Sequence, residues 1–242
     1  MSRVEVCGIE FDDLSIQEAV EHALWLMEEG RSVIAVTPNA EIVLKARKNK
    51  TLRSVLRSAE LVLADGAGVV QASRIQGKPL HHRVPGIDFC SALLARMAEL
   101  GQRVFLLGGV EGVAEEAGNR LAARYPGLVI AGTHNGYFDA EQSYAIIEQI
   151  NASAPDLLIV CLGSPKQELW MKRSADRLLV GMMIGLGGTL DIYSGRVERA
   201  PENWRRLGLE WLYRLIREPR RIRRVIGLPA IYAVALFRRL FK

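Results

Sequence analysis

A chain of 242 residues, 49% hydrophobic and 24% charged, is long enough to bury a sizeable core and too apolar for extended disorder. Three scattered cysteines (Cys7, Cys90, Cys161) and four histidines without zinc-binding spacing argue for buried reduced thiols over a disulfide framework or zinc site. The net charge of +5 is uneven: residues 196–242 carry 13 Lys and Arg against 4 Asp and Glu, whereas the rest carries 19 against 23. The basic surplus therefore belongs to the C-terminal 47 residues and points to an anionic partner, a nucleic acid or an acidic lipid surface.

In chain order, Met1-Ser2-Arg3-Val4-Glu5 leads straight into strand-like alternation without a secretory signal, so a cytoplasmic protein is expected. Short apolar runs predict strands at Val4–Ile9, Val33–Thr37, Leu61–Ala64, Arg103–Leu107, Leu128–Ala131, Leu157–Cys161 and Val180–Ile184. Between them, helical patterns cover Ser15–Glu29, opened by a Ser-Ile-Gln-Glu capping box, then Asn39–Lys48, Ile87–Leu100, Val113–Arg124, Glu141–Ala152 and Pro165–Ala175. Asp12-Asp13 precedes the first helix, where capping explains it. The expected fold is α/β: a mostly parallel, Rossmann-like sheet flanked by helices over residues 1–195, with a helical appendage over 196–242.

Ligands of such sheets lie at the carboxyl ends of the strands. Here those ends read Thr37-Pro38-Asn39, Asp65-Gly66-Ala67-Gly68, Gly108-Gly109, Gly132 to Tyr137, Gly163 to Glu168 and Gly185 to Thr189. Small and polar residues at so many strand ends let a ligand approach the backbone and favour a nucleotide or phosphorylated compound. No Walker A sequence is present, and Gly108-Gly109-Val110-Glu111-Gly112 departs from the dinucleotide fingerprint, although the helix start after it suits a phosphate. Asp-x-Asp, the usual metal-holding pair of nucleotide-sugar enzymes, occurs nowhere, so neither a metal nor another cofactor is expected. Charge on a leaving group would then fall to Arg or Lys, helix N-termini and neutral donors such as Gln167.

Seven ordered blocks resemble the WecG/TagA/CpsF glycosyltransferase family over nearly the whole chain, with no obvious departure. They are Thr37–Glu41, Ala64–Val69, Arg83–Asp88, Leu162–Glu168 with Trp170, Gly187–Gly195, Arg199-Ala200-Pro201 with Trp204, and Leu209–Leu215 followed by Glu218–Arg221. Similarity is greatest to TagA-type members. That resemblance implies an inverting, metal-free transfer of N-acetylmannosamine from its UDP donor to undecaprenyl-diphosphate-linked N-acetylglucosamine, an early step of wall teichoic acid synthesis. A sister transferase using another UDP-sugar, such as N-acetylmannosaminuronic acid or glucose, is the alternative.

An inverting transfer needs a base for the acceptor hydroxyl and donors for the departing diphosphate. Asp65, directly after an apolar strand, is the expected base; position alone leaves a turn-capping Asp equally open, and the resemblance decides for catalysis. Thr37 and Asn39 can bind a sugar hydroxyl or orient Asp65, while Asn39 also suits a helix cap. Gln167, in a helix's first turn, and Arg83 suit phosphate, whereas Lys166, His81 and His82 read as surface residues. Asn135, Tyr137 and Asp191 are nucleoside candidates, with core packing the other reading for Tyr137-Phe138, and Gly187 lies in a family block.

The pattern from Glu202 to Leu215 gathers Trp204, Leu207, Trp211, Leu212 and Leu215 on one helical face. The uncharged run Val225–Phe237 spans 13 residues, short of the roughly 20 that cross a bilayer, and Gly227 and Pro229 interrupt it. A basic helix with Trp and Leu opposite its charges fits an interfacial position on an anionic membrane, and docking on the body or on a second copy in a homo-oligomer is the other reading. The resemblance implies that this appendage folds over the site at the membrane and that Arg214, Arg221 and Arg224 reach the diphosphate of donor or acceptor. A nucleic-acid partner is not expected, because no RNP-like motif or zinc finger accompanies the basic tail and the body is net negative. A non-catalytic nucleotide-sugar sensor would not need the acid at Asp65.

Overall fold

The computed structural model describes residues 2–217, 219, 222, 227 and 229–241. A hairpin, β1 (Arg3–Val6) and β2 (Ile9–Asp12), stands apart from a six-stranded sheet. The sheet runs β4 (Leu61–Val62), β3 (Val33–Val36), β8 (Met182–Gly185), β7 (Leu157–Cys161), β5 (Arg103–Gly108), β6 (Val129–His134), and each neighbouring pair is parallel. The expected α/β architecture with a C-terminal helix is therefore present.

Alternation along the strands explains the layers, since successive side chains point to opposite faces. Ile34, Val36, Phe105, Leu107, Leu158, Val160 and Met183 enter one apolar cluster. Val33, Ala35, Val104, Leu106, Leu157, Ile159, Met182 and Ile184 enter the other. With both faces apolar, both must be covered. The first face is packed by α2 (Ala40–Lys48), α3 (Lys50–Ser58), α4 (Ala67–Ile75), α7 (Gln142–Ala152), α8 (Lys166–Ser174) and α12 (Pro229–Leu240). The second is packed by α1 (Ile16–Met27), α5 (Gly86–Glu99), α6 (Val113–Arg124) and α9 (Thr189–Tyr193). Two short helices, α10 (Glu202–Arg206) and α11 (Glu210–Arg217), follow the body.

Several expectations change in detail. The run predicted as one strand from Val4 to Ile9 folds back at Cys7 (φ 52°) and Gly8 (φ 94°), paired positive φ values that suit a tight hairpin. Ser15 and Glu18 form the capping box of α1, but Asp12 and Asp13 do not cap it. Asp12 accepts from Arg3 Nε (2.9 Å) and the Val62 N–H (2.9 Å), tying the hairpin to β4. Asp13 accepts from the backbone N–H groups of His81 and His82 and contacts His81 Nδ1 at 2.6 Å. The helices α3 and α4 were not expected; Asn49, which ends α2, caps α3 through the Leu52 N–H, and the glycines of Asp65–Gly68 hide the start of α4. The single helix expected across Glu202–Leu215 is broken at Gly208 (φ 71°) into α10 and α11.

Candidate active site

Four adjacent strands, β4, β3, β8 and β7, bring Asp65, Thr37, Gly187 and the Gly163-Ser164 turn to one edge of the sheet. The half-buried Asp65 is three residues beyond β4, where the Leu63 N–H donates to the Val36 carbonyl (2.9 Å) and the Val84 N–H donates to the Ala64 carbonyl (2.9 Å). These bonds fix the strand end from which Asp65 emerges. Next to it, Thr37 is buried against Gly86: a Cβ there would stand 2.7 Å from the Thr37 hydroxyl. Asn39 caps α2 through its Oδ1 and the Ile42 N–H (3.1 Å), so the capping role holds and commits one end of its amide.

Gln167 is 3% exposed, buried beneath this edge instead of standing free at a helix start. Its own N–H donates to the Gly163 carbonyl (2.9 Å) and is spent on the turn, which corrects the expectation of a free phosphate donor there. The side chain instead braces the neighbouring loop: Oε1 accepts from the Gly187 N–H at 2.9 Å, and Nε2 donates to Glu168 Oε1 at 2.9 Å. This packing requires glycine at 185, because a Cβ would meet Gln167 Nε2 at 2.7 Å. Glu168 is 2% exposed, and its Oε2 and the Ser164 hydroxyl are buried without a hydrogen bond of normal geometry. Burial pushes the Glu168 carboxyl above its usual range, against hydrogen bonds from its own backbone N–H and from Gln167.

The nucleoside candidates stand farther along the sheet. From β3 to β6 there are four strand spacings, roughly 19 Å. The loop after β6 shortens this gap by folding back over β5 and β7: the Gly136 N–H donates to the Gly109 carbonyl (2.8 Å), and Lys166 Nζ donates to the Gly136 carbonyl (3.1 Å). Lys166, read from sequence as a surface charge, therefore ties this loop to α8. Asn135 donates to Glu111 Oε2 (2.6 Å) and accepts from the Tyr137 N–H (2.9 Å). Tyr137 is 74% exposed, so the core-packing reading fails for it, whereas it holds for Phe138, which packs against the core and edge-on to Trp170. A cavity of about 320 Å³ beside it is lined by His134, Phe138 and α7, and touches neither Asp65, Thr37, Gln167 nor Gly187. Half-buried Asp191 lies in the first turn of α9, its Oδ2 3.3 Å from where a Cβ of Gly188 would stand.

Half-buried Arg83 commits one of its donors to the segment that follows the body: Nη2 donates to the Arg205 carbonyl of α10 at 3.0 Å. Arg199 forks onto Asp88 of α5 (2.5 and 2.8 Å), and Arg196 forks onto Glu116 of α6 (2.8 and 2.6 Å). The helix α12 buries Ile231 and Ala235 against the body, and the Tyr232 hydroxyl donates to Gln71 Oε1 (2.6 Å). Two parts of this segment reach the turn after Asp65. A Cβ at Gly208 would lie 3.3 Å from Ala67 Cβ, and one at Gly68 would lie 3.8 Å from the Tyr232 hydroxyl. The side chain of Arg214, and Arg221 and Arg224 altogether, lie outside the described residues. Among the described residues there is no cluster of three or more His, Cys, Asp or Glu able to hold a metal, and no helix long and apolar enough to cross a membrane.

Comparison with known proteins gives a match to the glycosyl transferase WecG/TagA/CpsF family over residues 4–242. The chain belongs to this family. Its relatives include an N-acetylglucosaminyldiphosphoundecaprenol N-acetyl-beta-D-mannosaminyltransferase of Bacillus spizizenii, 35% identical over 94% of this chain and 88% of the relative. A protein of the same name from Staphylococcus aureus strain MW2 is 34% identical over 100% of this chain and 95% of its own length.

As a member of a glycosyltransferase family, the chain has a transferase's fold and a strand-end edge rich in polar groups. Sequence reading gave no role to Glu168, Asp88 or Tyr232, although Glu168 and Asp88 sit inside family blocks. The adjacent Gln-Glu pair in a helix's first turn was the signal available for Glu168. Nothing local marks Tyr232, whose position depends on the packing of α12.

Proposed function

We propose that this glycosyltransferase moves N-acetylmannosamine from its UDP donor to undecaprenyl-diphosphate-linked N-acetylglucosamine, the linkage-unit step of wall teichoic acid synthesis. The observation that carries the reading is the likeness to relatives of that name over 94% and 100% of the chain. A half-buried carboxylate at the strand-end edge of the sheet supports it.

The acceptor hydroxyl attacks the anomeric carbon as its bond to the diphosphate oxygen breaks, and the new bond forms on the opposite face. Asp65 takes the hydroxyl proton, and UDP leaves with the bonding pair. Thr37 and Asn39 hold the sugar beside Asp65. Gln167 acts through the Gly187 loop, which its Oε1 holds at 2.9 Å. Asn135, Tyr137 and Asp191 take the nucleoside, with Tyr137 offering a ring face. Negative charge on the diphosphate is met by backbone N–H groups and by arginines of residues 196–242, including Arg214, Arg221 and Arg224, without a metal. The absence of Asp-x-Asp from the sequence supports the metal-free route.

In this reading the C-terminal segment completes the site while the protein lies peripherally on the inner face of the cell membrane. Contacts of Gly208 and Tyr232 with the turn after Asp65 support such a placement. The test offers the full chain a panel of UDP-sugars with a short-chain lipid-diphosphate N-acetylglucosamine acceptor, in the presence of a chelator. Disaccharide formation from UDP-N-acetylmannosamine above all other donors is expected. Preference for another donor, or dependence on a divalent cation, would overturn the reading.

A further inference from the structure

Away from the strand-end edge, a cavity of about 350 Å³ opens between the β1–β2 turn, α2, α3 and the last turns of α12. It is separate from the candidate active site. The helix α12 runs alongside α4 from Tyr232, beside Gln71, to Arg239, whose Nη1 donates to the Ile75 carbonyl (3.4 Å). Arg238, at the cavity, is therefore about 9 Å further from the Asp65 turn than Tyr232 is.

Four arginines line this cavity, Arg47, Arg53, Arg57 and Arg238, against two acidic residues, Glu5 and Glu10. Arg238 is paired with Glu5. Arg47, Arg53 and Arg57 form no hydrogen bond or ion pair with any described residue, although Glu10 shares the cavity wall. Helical spacing places Arg53 and Arg57 on one face of α3, four residues apart, where like charges repel unless an anion lies between them. Three arginines without a partner among the described residues line one concavity from two helices, with a fourth from α12, and arginine supplies the fork donors that phosphate oxygens accept. Next to this wall, Leu236, Phe237, Leu240 and Phe241 of the C-terminal end stand exposed.

We propose that this cavity is a second ligand site, binding a phosphate-bearing anion between Arg47, Arg53 and Arg57. The anion's phosphate accepts from the three guanidinium groups, and Arg238 holds the cavity's far wall through Glu5. Two sources share this chemistry: the headgroup of an anionic phospholipid, whose acyl chains would meet the exposed Phe237 and Phe241, and a soluble phosphate compound. The site stands whether or not the transfer reaction proposed above is correct, because it uses none of its residues.

The test uses the full chain and a variant carrying Arg53→Gln and Arg57→Gln, with Lys172→Gln and Arg173→Gln on α8 as a control of equal charge loss. Inorganic phosphate is titrated by calorimetry, and mixed phosphatidylcholine–phosphatidylglycerol vesicles are assayed by co-sedimentation. The variant is expected to lose affinity by roughly tenfold or more for at least one probe, while the control keeps it. Loss for vesicles assigns the site to lipid headgroups, and loss for inorganic phosphate alone assigns it to a soluble ligand. Both substitutions fall on side chains that reach solvent, and circular dichroism checks that each variant folds as the parent chain does. Equal binding by the variant and the parent chain, equal weakening in the control, or no binding of either probe by the parent chain would each overturn the proposal.

Discussion

The sheet-bearing body and the C-terminal segment are both rich in apolar residues, yet they use them in opposite ways. In the body, Phe105, Leu106, Leu158 and Ile159 are wholly buried, with helices on each face of the sheet, α12 of the segment among them on one face. In the segment, Trp211 (43% exposed), Phe237 (61%) and Phe241 (72%) face outward. The segment is held to the body by Ile231 and Ala235 and by a few polar anchors, chiefly Arg199 on Asp88 and Tyr232 on Gln71. Under the proposed function, these exposed apolar side chains are the ones that would meet the membrane.

The sharpest break of this contrast is a chain ending at Gly195. It should keep the far-ultraviolet circular dichroism of a folded α/β protein yet lose transfer to membrane-embedded acceptor by ~10²-fold or more, the scale on which lost positioning groups act. Retention of full activity would separate the segment from the reaction. Smaller in effect is Arg199→Ala, which leaves Asp88 without its fork. Because the two side chains are 19% and 32% exposed, the cost should be about 1–3 kcal/mol, below that of a fully buried pair. Limited trypsin digestion should then cut residues 196–217 faster while the body stays intact, and Arg199→Lys should restore the pair only in part.

Within the body, Glu168 supplies a pH signature. Burial raises its folded pKa above the unfolded value, so its contribution to stability is complete below the unfolded pKa of about 4.3 and declines as pH rises through the folded pKa. Denaturant titration of Glu168→Gln across that window should show a flatter pH dependence than the parent chain. An unchanged dependence would show that the carboxyl titrates normally. Smallest of all is the expected response to thiol reagents. Burial pushes Cys90 and Cys161 up to about 12, so neither should be alkylated in the native state, and both should react once the body unfolds.

The sheet was legible because its signal is local. Strands buried on both faces read as continuous Val, Ile and Leu runs, and Leu157–Cys161 and Val113–Arg124 match the expected bounds. What was not legible depended on contacts between distant residues. The hairpin turn at Cys7-Gly8 hides in an alternating run, because nothing in its composition demands a positive φ at cysteine. At the candidate site, Thr37, Asn39 and Asp65 could be placed from strand ends alone. The burial of Gln167 could not, since it follows from Gly185 leaving room for its amide. Arg83 reads from sequence as a phosphate ligand, and only the tertiary fold shows that one of its donors goes to the Arg205 carbonyl.

Asp65→Asn in the full chain decides whether the transfer reaction runs at the strand-end edge with Asp65 as its base. Product formation from UDP-N-acetylmannosamine and lipid-linked N-acetylglucosamine should fall by ~10²–10⁴-fold, with UDP affinity and thermal stability close to those of the parent chain. Turnover at the parent rate by a correctly folded Asp65→Asn protein would contradict it.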